Sequence, residues 1–216
     1  MLGGTGPAGQ GVATRLAAGG HDVVLGSREH SRAQATVDEL RARWGDRLGN
    51  LTAGANAEAA TQDLVMVATV WDAAVPTTRY LASYLDGKVV VSIANALEKR
   101  GREFHPLLPE EGSIAAAVQA AAPRARVVAA LQHVPAAALR DLDGELDSDV
   151  LVAGDDDAAR QMVADLIDAI KGLRALDAGS LANAVGLEAF AAALLTVNLR
   201  HKGEATLRLV GTGPRR

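Results

Sequence analysis

A glycine-rich segment near the start of the chain constrains its fold more than any other feature. Its six residues, Gly4-Thr5-Gly6-Pro7-Ala8-Gly9, match the pattern G-x-G-x-x-G. In that pattern the first glycine permits a tight turn, the second admits a pyrophosphate to the backbone, and the third lets a helix pack on a strand. The helix that begins near Pro7 would point its free N–H groups at the phosphates. Because short glycine patterns also arise by chance, this one is informative only within an alternation of strands and helices.

Strand-like and helix-like patterns alternate along the remaining chain. Continuous apolar runs predict buried strands, and apolar residues at helical spacing predict helices between them. The predicted strands are His21–Leu25, Leu51–Ala53, Asp63–Ala68, Lys88–Ile93, Arg126–Leu131 and Val150–Ala153, and the longer predicted helices are Gln10–Ala18, Ser31–Trp44, Ala73–Leu85, Gly112–Ala121, Asp155–Ile170 and Leu181–Leu199. The alternation predicts an α/β protein with a Rossmann-like, doubly wound and mostly parallel sheet. We expect two domains, a nucleotide-binding domain over residues 1–137 and a small α-rich C-terminal domain over residues 138–216.

The strand that should precede the glycine loop is very short. A nucleotide-binding βαβ unit has a full strand at this place. Here only Met1 and Leu2 precede the first glycines. Either the chain as given begins several residues late or the central strand lacks most of its length, and in both cases we expect a truncated first strand.

A second nucleotide signal lies about 20 residues beyond the loop, where NAD-binding chains carry an acid for the ribose 2′-hydroxyl. This chain has Gly26-Ser27-Arg28 there, with Arg32 one helical turn further on. A hydroxyl and two guanidinium groups suit a 2′-phosphate, because they form charge-assisted hydrogen bonds with it. These residues favour NADP over NAD, while Glu29 leaves a contact with a ribose hydroxyl open.

Composition argues against several other functions. A net charge of −4 argues against a nucleic-acid binder, which needs a basic face, and the absence of cysteine excludes disulfides and thiolate metal sites. The five histidines are scattered, and Asp155-Asp156-Asp157 is more simply explained as acids at the positive end of a helix than as a metal site. The longest charge-free apolar stretch, Ala189–Leu199, is shorter than the ~20 residues of a membrane span. We therefore expect a cytoplasmic protein that binds no metal, membrane or nucleic acid.

The sequence offers no convincing catalytic acid or base. A dehydrogenase acting on an alcohol or hydroxy acid needs a proton donor, typically Lys, His or Tyr, at the substrate oxygen. No lysine lies between Leu181 and Leu199, and among the histidines only His133 lies at the end of a predicted strand. Hydride transfer between two redox cofactors fits this chain, because the acceptor ring delocalises its own charge and needs only positioning. We therefore assign no catalytic residue.

Several segments resemble the NADPH-dependent coenzyme F420 reductases (F420H2:NADP oxidoreductases), and the resemblance covers nearly the whole chain. The nicotinamide-side motifs of that family resemble Leu2-Gly3-Gly4-Thr5-Gly6, Gly26-Ser27-Arg28 with Arg32, and Thr69-Val70-Trp71. Its deazaflavin-facing segment resembles Val127–Ala137, and its small second domain resembles Gly154–Asp157 and Gly172–Gly179.

The resemblance implies that NADP and coenzyme F420 are the two diffusible substrates, and it distributes the candidate residues between them. The glycine loop (Gly4, Thr5, Gly6, Pro7, Ala8 and Gly9) would hold the pyrophosphate, and Ser27, Arg28 and Arg32 would hold the 2′-phosphate. The nicotinamide side would be lined by Thr69, Val70 and Trp71. The deazaflavin would meet Val134, Pro135 and Ala136 near its reacting carbon, with His133 as a contact only.

Two other functions stay open at this point. An NADP-dependent dehydrogenase or imine reductase would turn over a small organic substrate without a deazaflavin. A non-catalytic NADP-binding module would bind the nucleotide without turnover. Separately, the apolar helix Leu181–Leu199 predicts a homodimer, because a small monomer has too little polar surface to cover such a helix.

Overall fold

The computed structural model describes residues 1–213, and over this part of the chain strands and helices alternate as the sequence predicts. The strands are β1 (Val23–Ser27), β2 (Leu51–Ala55), β3 (Leu64–Val67), β4 (Val89–Ser92), β5 (Leu97–Arg100), β6 (Glu103–Pro106), β7 (Arg126–Ala129), β8 (Ser148–Gly154) and β9 (Leu173–Asp177). The helices are α1 (Pro7–Ala18), α2 (His30–Trp44), α3 (Asn56–Ala60), α4 (Trp71–Tyr80), α5 (Ala82–Leu85), α6 (Ile114–Ala121), α7 (Ala136–Arg140), α8 (Asp157–Asp168) and α9 (Ala184–His201).

The N-terminal residues join two groups of strands into one layer. β1 pairs with β2, and a second group runs in the order β3-β4-β7-β8-β9. Met1–Gly4 lies between the two groups: the Leu2 N–H donates to the Met66 carbonyl at 2.7 Å, and the Gly26 N–H donates to the Met1 carbonyl at 2.8 Å. Leu2 makes only an isolated bridge to β3. As the sequence predicts, the strand before the glycine loop is therefore very short in the described residues.

The layer is parallel except where β8 runs antiparallel to β7. The register places Val67, Ser92 and Ala129, the last residues of β3, β4 and β7, at the same level. The carboxyl ends of these strands therefore share one edge with the glycine loop. In doubly wound sheets this is the edge at which ligands bind.

Two apolar clusters cover the two faces of the layer. Val89 and Val91 belong to one cluster, whereas Val90 between them belongs to the other. Successive side chains of a strand point to opposite faces, so this division identifies the two faces. Helices α1, α2 and α8 contribute to the first cluster, and α3, α4, α6 and α9 contribute to the second. The doubly wound, mostly parallel fold predicted from the sequence is confirmed.

The predicted element boundaries differ from the structure at several places. β1 begins and ends two residues later than predicted, because Gly26 and Ser27 continue its pairing with β2. Only glycine fits at position 26, since a Cβ would lie 2.6 Å from the Met1 carbonyl oxygen. The predicted helix Ala73–Leu85 is divided into α4 and α5. The β5–β6 hairpin, α7 and β9 were not predicted, because segments of four or five residues carry little periodicity.

The expected domain boundary at residue 137 lies inside α7, and β8 and β9 extend the same sheet beyond it. The division into two domains stays a prediction. The helical stretch Leu181–His201 is long and apolar enough to cross a membrane by length and composition alone, a test that the core helix of a soluble protein also passes. In this structure Leu187 is buried, and the Glu188 carboxylate accepts hydrogen bonds from α6. This side of α9 therefore packs on the rest of the protein.

Candidate functional site

The glycine loop is tightly packed on one side and open on the other. A Cβ at Gly9 would lie 2.7 Å from the Gly4 Cα, so α1 approaches the loop only because that residue is glycine. Gly6 is the N-cap of α1, and no atom lies within 4 Å of where its Cβ would stand. Pro7 opens the helix, where a missing N–H has no cost. The open side presents the first free amides of α1, as a pyrophosphate cradle requires.

Two amide side chains that were not singled out from the sequence hold this loop. Gln10 Nε2 donates to the Thr5 carbonyl at 2.8 Å, and the Gly3 N–H donates to Asn56 Oδ1 at 3.0 Å. Gly3 has a φ of +64°, and a Cβ there would overlap the side chain of Thr69. Asn56 directly follows β2. The sequence feature that could have identified Asn56 was its position just after a predicted strand, at the edge of the sheet where ligands bind.

Ser27, Arg28 and Arg32 lie at the neighbouring end of β1. Ser27 is the last residue of that strand and is buried, whereas both arginines are exposed, Arg32 in the first turn of α2. Within residues 1–213 neither guanidinium forms an ion pair. Two cations without carboxylate partners, beside a buried hydroxyl, fit a phosphate group.

Thr69 and Val70 lie in the turn between β3 and α4, and Trp71 is the first residue of α4. The side chain of Val70 is 71% exposed and that of Trp71 is 39% exposed, although both are large and apolar. The Thr69 hydroxyl oxygen is buried and has no hydrogen-bond partner in the described structure. This turn therefore offers apolar surface to a ligand directly beside the glycine loop.

The segment from His133 to Ala136 follows β7 at the same edge. Just before it, Leu131 has a φ of +70°, a left-handed conformation that is strained for a residue other than glycine. His133 and Val134 are buried, whereas Pro135, the N-cap of α7, and Ala136 are half-buried. The exposed part of this segment is thus small and apolar, which suits contact with a flat ring.

His133 anchors this segment to β8 and does not present a charge. Its Nε2 lies 2.8 Å from the Asp149 carbonyl oxygen, and its ring meets Phe190 edge to face at 6.2 Å between centroids. Burial lowers the pKa of His133, against a smaller raising effect from Asp149. A neutral ring donates from Nε2 to the carbonyl. Nδ1 then remains as a buried acceptor, without a partner among residues 1–213.

Unpartnered polar atoms accumulate at this edge. Of the nine buried side-chain polar atoms that lack a partner in residues 1–213, five belong to residues in or just after the ends of β3, β4 and β7: Thr69, Ser92, Asn95, Gln132 and His133. Two of these residues also connect β4 to the loop that follows β7. Asn95 Nδ2 donates to the Gln132 carbonyl at 2.8 Å, and Gln132 Nε2 donates to the Ser92 carbonyl at 2.9 Å. Buried polar atoms normally have hydrogen-bond partners, so several unpartnered ones close together indicate a place for a polar ligand or water.

The residues on either side of the glycine loop lie against two of the other predicted groups. Gly3 packs on Thr69, and a Cβ at Gly11 in α1 would lie 3.1 Å from the Ala136 carbonyl oxygen. The glycine loop with its helix therefore adjoins both the Thr69–Trp71 turn and the His133–Ala136 segment. The arginines lie further along the same edge, beyond Met1–Gly4.

No group of three or more potential ligands in residues 1–213 is arranged to hold a metal ion. Asp156 is the N-cap of α8 and accepts a hydrogen bond from the Ala159 N–H at 2.7 Å. Asp155 accepts one from the Leu181 N–H at 2.9 Å. The helix-capping interpretation of this acidic run is confirmed for Asp156.

Comparisons with known proteins identify a family and several similar chains. The profile of the family described as "NADP oxidoreductase coenzyme F420-dependent" matches residues 1–96. An F420-dependent NADP reductase of Methanocaldococcus jannaschii is 34% identical over 211 residues, which cover 95% of this chain and 94% of that protein. One of Methanothermobacter marburgensis is 32% identical over 208 residues, or 94% and 92% of the two chains. A crystal structure from Arthrobacter sp. FB24, of a protein to which the same activity is ascribed, has a TM-score of 0.75 and 30% identity over 92% of this chain and 90% of that one.

Proposed function

The chain belongs to the coenzyme F420-dependent NADP oxidoreductase family, and from that premise we propose that it transfers a hydride reversibly between NADP(H) and coenzyme F420. The observation that carries the proposal is that an open glycine loop, two arginines without an ion pair in residues 1–213 and a small apolar segment share one edge of the sheet. When both substrates are bound, NADPH supplies a hydride from nicotinamide C4 and the deazaflavin accepts it at C5. Both are diffusible, and we place the reaction in the cytoplasm.

The adenosine half of NADP is bound mainly by charge and by backbone amides in this proposal. Thr5, Gly6 and Ala8 surround the pyrophosphate at the N-terminus of α1, whose free amides and dipole favour an anion. Arg28 and Arg32 bind the 2′-phosphate together with the Ser27 hydroxyl. No carboxylate in residues 1–213 pairs with these two arginines, so none has to be displaced.

The two rings are positioned by apolar surface. Val70 and Trp71 cover the nicotinamide side, while Val134, Pro135 and Ala136 face the deazaflavin. Two planar rings can stack face to face at ~3–3.5 Å, which is a near-attack distance, so placement supplies most of the rate. His133 stays neutral and holds its segment to β8, so we do not assign it as a proton donor. The proton that accompanies the hydride to the deazaflavin is taken from solvent in this proposal.

The test is to mix the protein with NADPH and oxidised F420 and to follow the visible absorbance of the deazaflavin. With NADPH deuterated stereospecifically at C4, the label is expected on the deazaflavin C5. Transfer of solvent hydrogen to that carbon would contradict direct hydride transfer. Reduction of a small imine or ketone without F420 would replace the proposal with the dehydrogenase or imine reductase function.

We also propose that the protein is a homodimer that buries the outer face of α9. Each subunit would then form part of the wall of the deazaflavin site. Val185, Phe190 and Val197 are all exposed there, between 38% and 44%, and the helix carries no exposed charge from residue 184 to residue 199. Sedimentation at micromolar concentration is expected to show a dimer that Val197→Glu dissociates. Met162→Glu, on the exposed side of α8, is the matched control. A fully active wild-type monomer would contradict this proposal.

A further inference from the structure

Arg15, in the third turn of α1, connects the pyrophosphate helix to α7. Its guanidinium donates to the carbonyls of Ala138 at 2.9 Å, Leu139 at 3.1 Å and Gly144 at 3.2 Å, and also to that of Asp141. These four acceptors are the final carbonyls of α7 and the turn after that helix. Because they lie more than 120 residues further along the chain, sequence periodicity did not reveal the connection.

Gly11, one helical turn before Arg15, lets α1 approach α7 closely. A Cβ at Gly11 would lie 2.6 Å from the Leu139 Cβ and 3.1 Å from the Ala136 carbonyl oxygen. Leu139 is fully buried at this contact. At Gly11, α1 and α7 are therefore closer together than any residue with a Cβ would allow.

α7 depends on this support because it is too short to be stable by itself. It has five residues, and isolated helices shorter than ~12 residues are marginal in water. Its last carbonyls have no partners within the helix, as at every helix C-terminus. The planar, five-donor group of Arg15 satisfies several of them at once, which the point charge of a lysine does not do.

We propose that Arg15 is a positioning residue for hydride transfer: it fixes the His133–Ala136 segment relative to the pyrophosphate helix and so sets the distance between the two rings. The inference rests on the proposed function, because it assumes that the N-terminus of α1 holds NADP and that Ala136 faces the deazaflavin. Arg15 touches neither substrate in this arrangement. Its removal is therefore expected to change the transfer step far more than NADPH binding.

The experiment compares Arg15→Met with the wild type in three measurements on the full chain. The first is the Kd for NADPH without F420, the second is the single-turnover rate of hydride transfer at saturating substrates, and the third is amide hydrogen exchange of residues 136–144 without substrates. A displacement of ~1 Å costs up to about a hundredfold in rate, so we expect a transfer rate at least about tenfold lower with NADPH Kd within about twofold. Exchange of residues 136–144 is expected to accelerate.

Arg41→Met is the matched control. Arg41 likewise donates to two backbone carbonyls, those of Gly49 and Leu51, but these precede or begin β2 at the opposite edge of the sheet. It is expected to leave the transfer rate and the exchange of residues 136–144 unchanged. If Arg15→Met lowers the transfer rate no more than Arg41→Met does, or weakens NADPH binding as much as it slows transfer, the positioning role is rejected.

Two further variants keep the inference testable if Arg15→Met does not fold. Gly11→Ala adds a Cβ that pushes α7 away from α1 and is expected to show the same separation of transfer rate from NADPH affinity. Arg15→Ala is expected to recover its transfer rate in millimolar guanidinium, which occupies the vacated donor position. A wild-type protein that reduces no F420 would overturn the proposed function, and the exchange measurement would then still report on the Arg15 contact alone.

Discussion

The two ends of the proposed NADP and deazaflavin site differ in how they are built. At the adenosine end, Arg28 and Arg32 are exposed and unpaired within residues 1–213, and they stand on the loop and first turn after β1. At the ring end, Gln132, His133 and Val134 are buried; Gln132 is hydrogen-bonded to β4 and His133 to β8. In the proposed function the first end selects its ligand by charge, whereas the second selects it by shape. Substitutions at the two ends should therefore affect different measured quantities.

The largest effect is expected for Ala136→Phe, which enlarges a half-buried residue against which the deazaflavin is proposed to lie. A ring displaced by ~1 Å would slow hydride transfer about a hundredfold, while NADPH affinity is conserved. Single-turnover absorbance and an NADPH titration measure the two quantities. Ala137→Phe is the control, because Ala137 is exposed. Equal transfer rates in the two variants would remove Ala136 from the ring contact.

The double variant Arg28→Ala/Arg32→Ala is expected to weaken NADPH binding at least about tenfold, because each lost guanidinium removes charge-assisted hydrogen bonds to the 2′-phosphate. NADH affinity and the transfer rate at saturating NADPH should change little. Arg43→Ala is the control, since Arg43 lies on the same helix but stacks on Trp44 at 4.5 Å. If NADH and NADPH binding weaken equally, these arginines do not contact the 2′-phosphate.

A smaller effect is expected for His133→Ala, with turnover reduced by less than about tenfold because the neutral ring delivers no proton. Burial lowers the pKa of His133 in the folded protein below the value near 6.5 expected in the unfolded chain. Between these two values the unfolded chain binds a proton that the folded protein does not, so the wild type loses stability as the pH falls below about 6.5.

His133→Ala should lack that part of the pH dependence, whatever its stability at neutral pH. Urea unfolding at several pH values from about 7.5 to about 5.5, which bracket the unfolded-state pKa, measures the slope. His21→Ala, at an exposed histidine, is the control. A slope equal to that of the wild type would show that His133 is not the titrating group. A loss of turnover near a hundredfold would contradict the minor role in turnover that is expected for His133.

The smallest expected effect is a difference between NADPH and NADH in how their Kd values depend on salt. Exposed charges are screened strongly once the Debye length falls from about 10 Å at 0.1 M to about 3 Å at 1 M ionic strength. The Kd for NADPH should rise with added salt about two- to threefold more than the Kd for NADH, because only NADPH carries the 2′-phosphate that faces the arginines. Isothermal titrations of both nucleotides at several salt concentrations test this. Parallel salt dependences would contradict recognition by charge.

Much of the fold and the location of the site were predictable from local patterns. The glycine loop, the strands around it and the arginines after β1 each have a signal within a few neighbouring residues. The structure places all of these segments at one edge, because the carboxyl ends of parallel strands must meet there. The roles of the individual site residues stay predictions. Gln10, Asn56, Asn95 and Gln132 were missed, since an amide side chain has no periodic pattern that distinguishes a structural contact from an exposed position.

The sequence by itself determined the order of the longer strands and helices, the glycine loop and the two arginines after β1. These features depend on backbone conformation and burial over a few residues, which composition and period express directly. Only the tertiary structure decided that β8 runs antiparallel to β7 and that Arg174 pairs with the buried Asp149 at 2.7 Å. The same is true of the hydrogen bonds from Arg15 to the carbonyls of α7. Such contacts join residues 24 to 129 positions apart. Their partners are selected by the packing of whole elements against each other, and no local pattern in the chain records that packing.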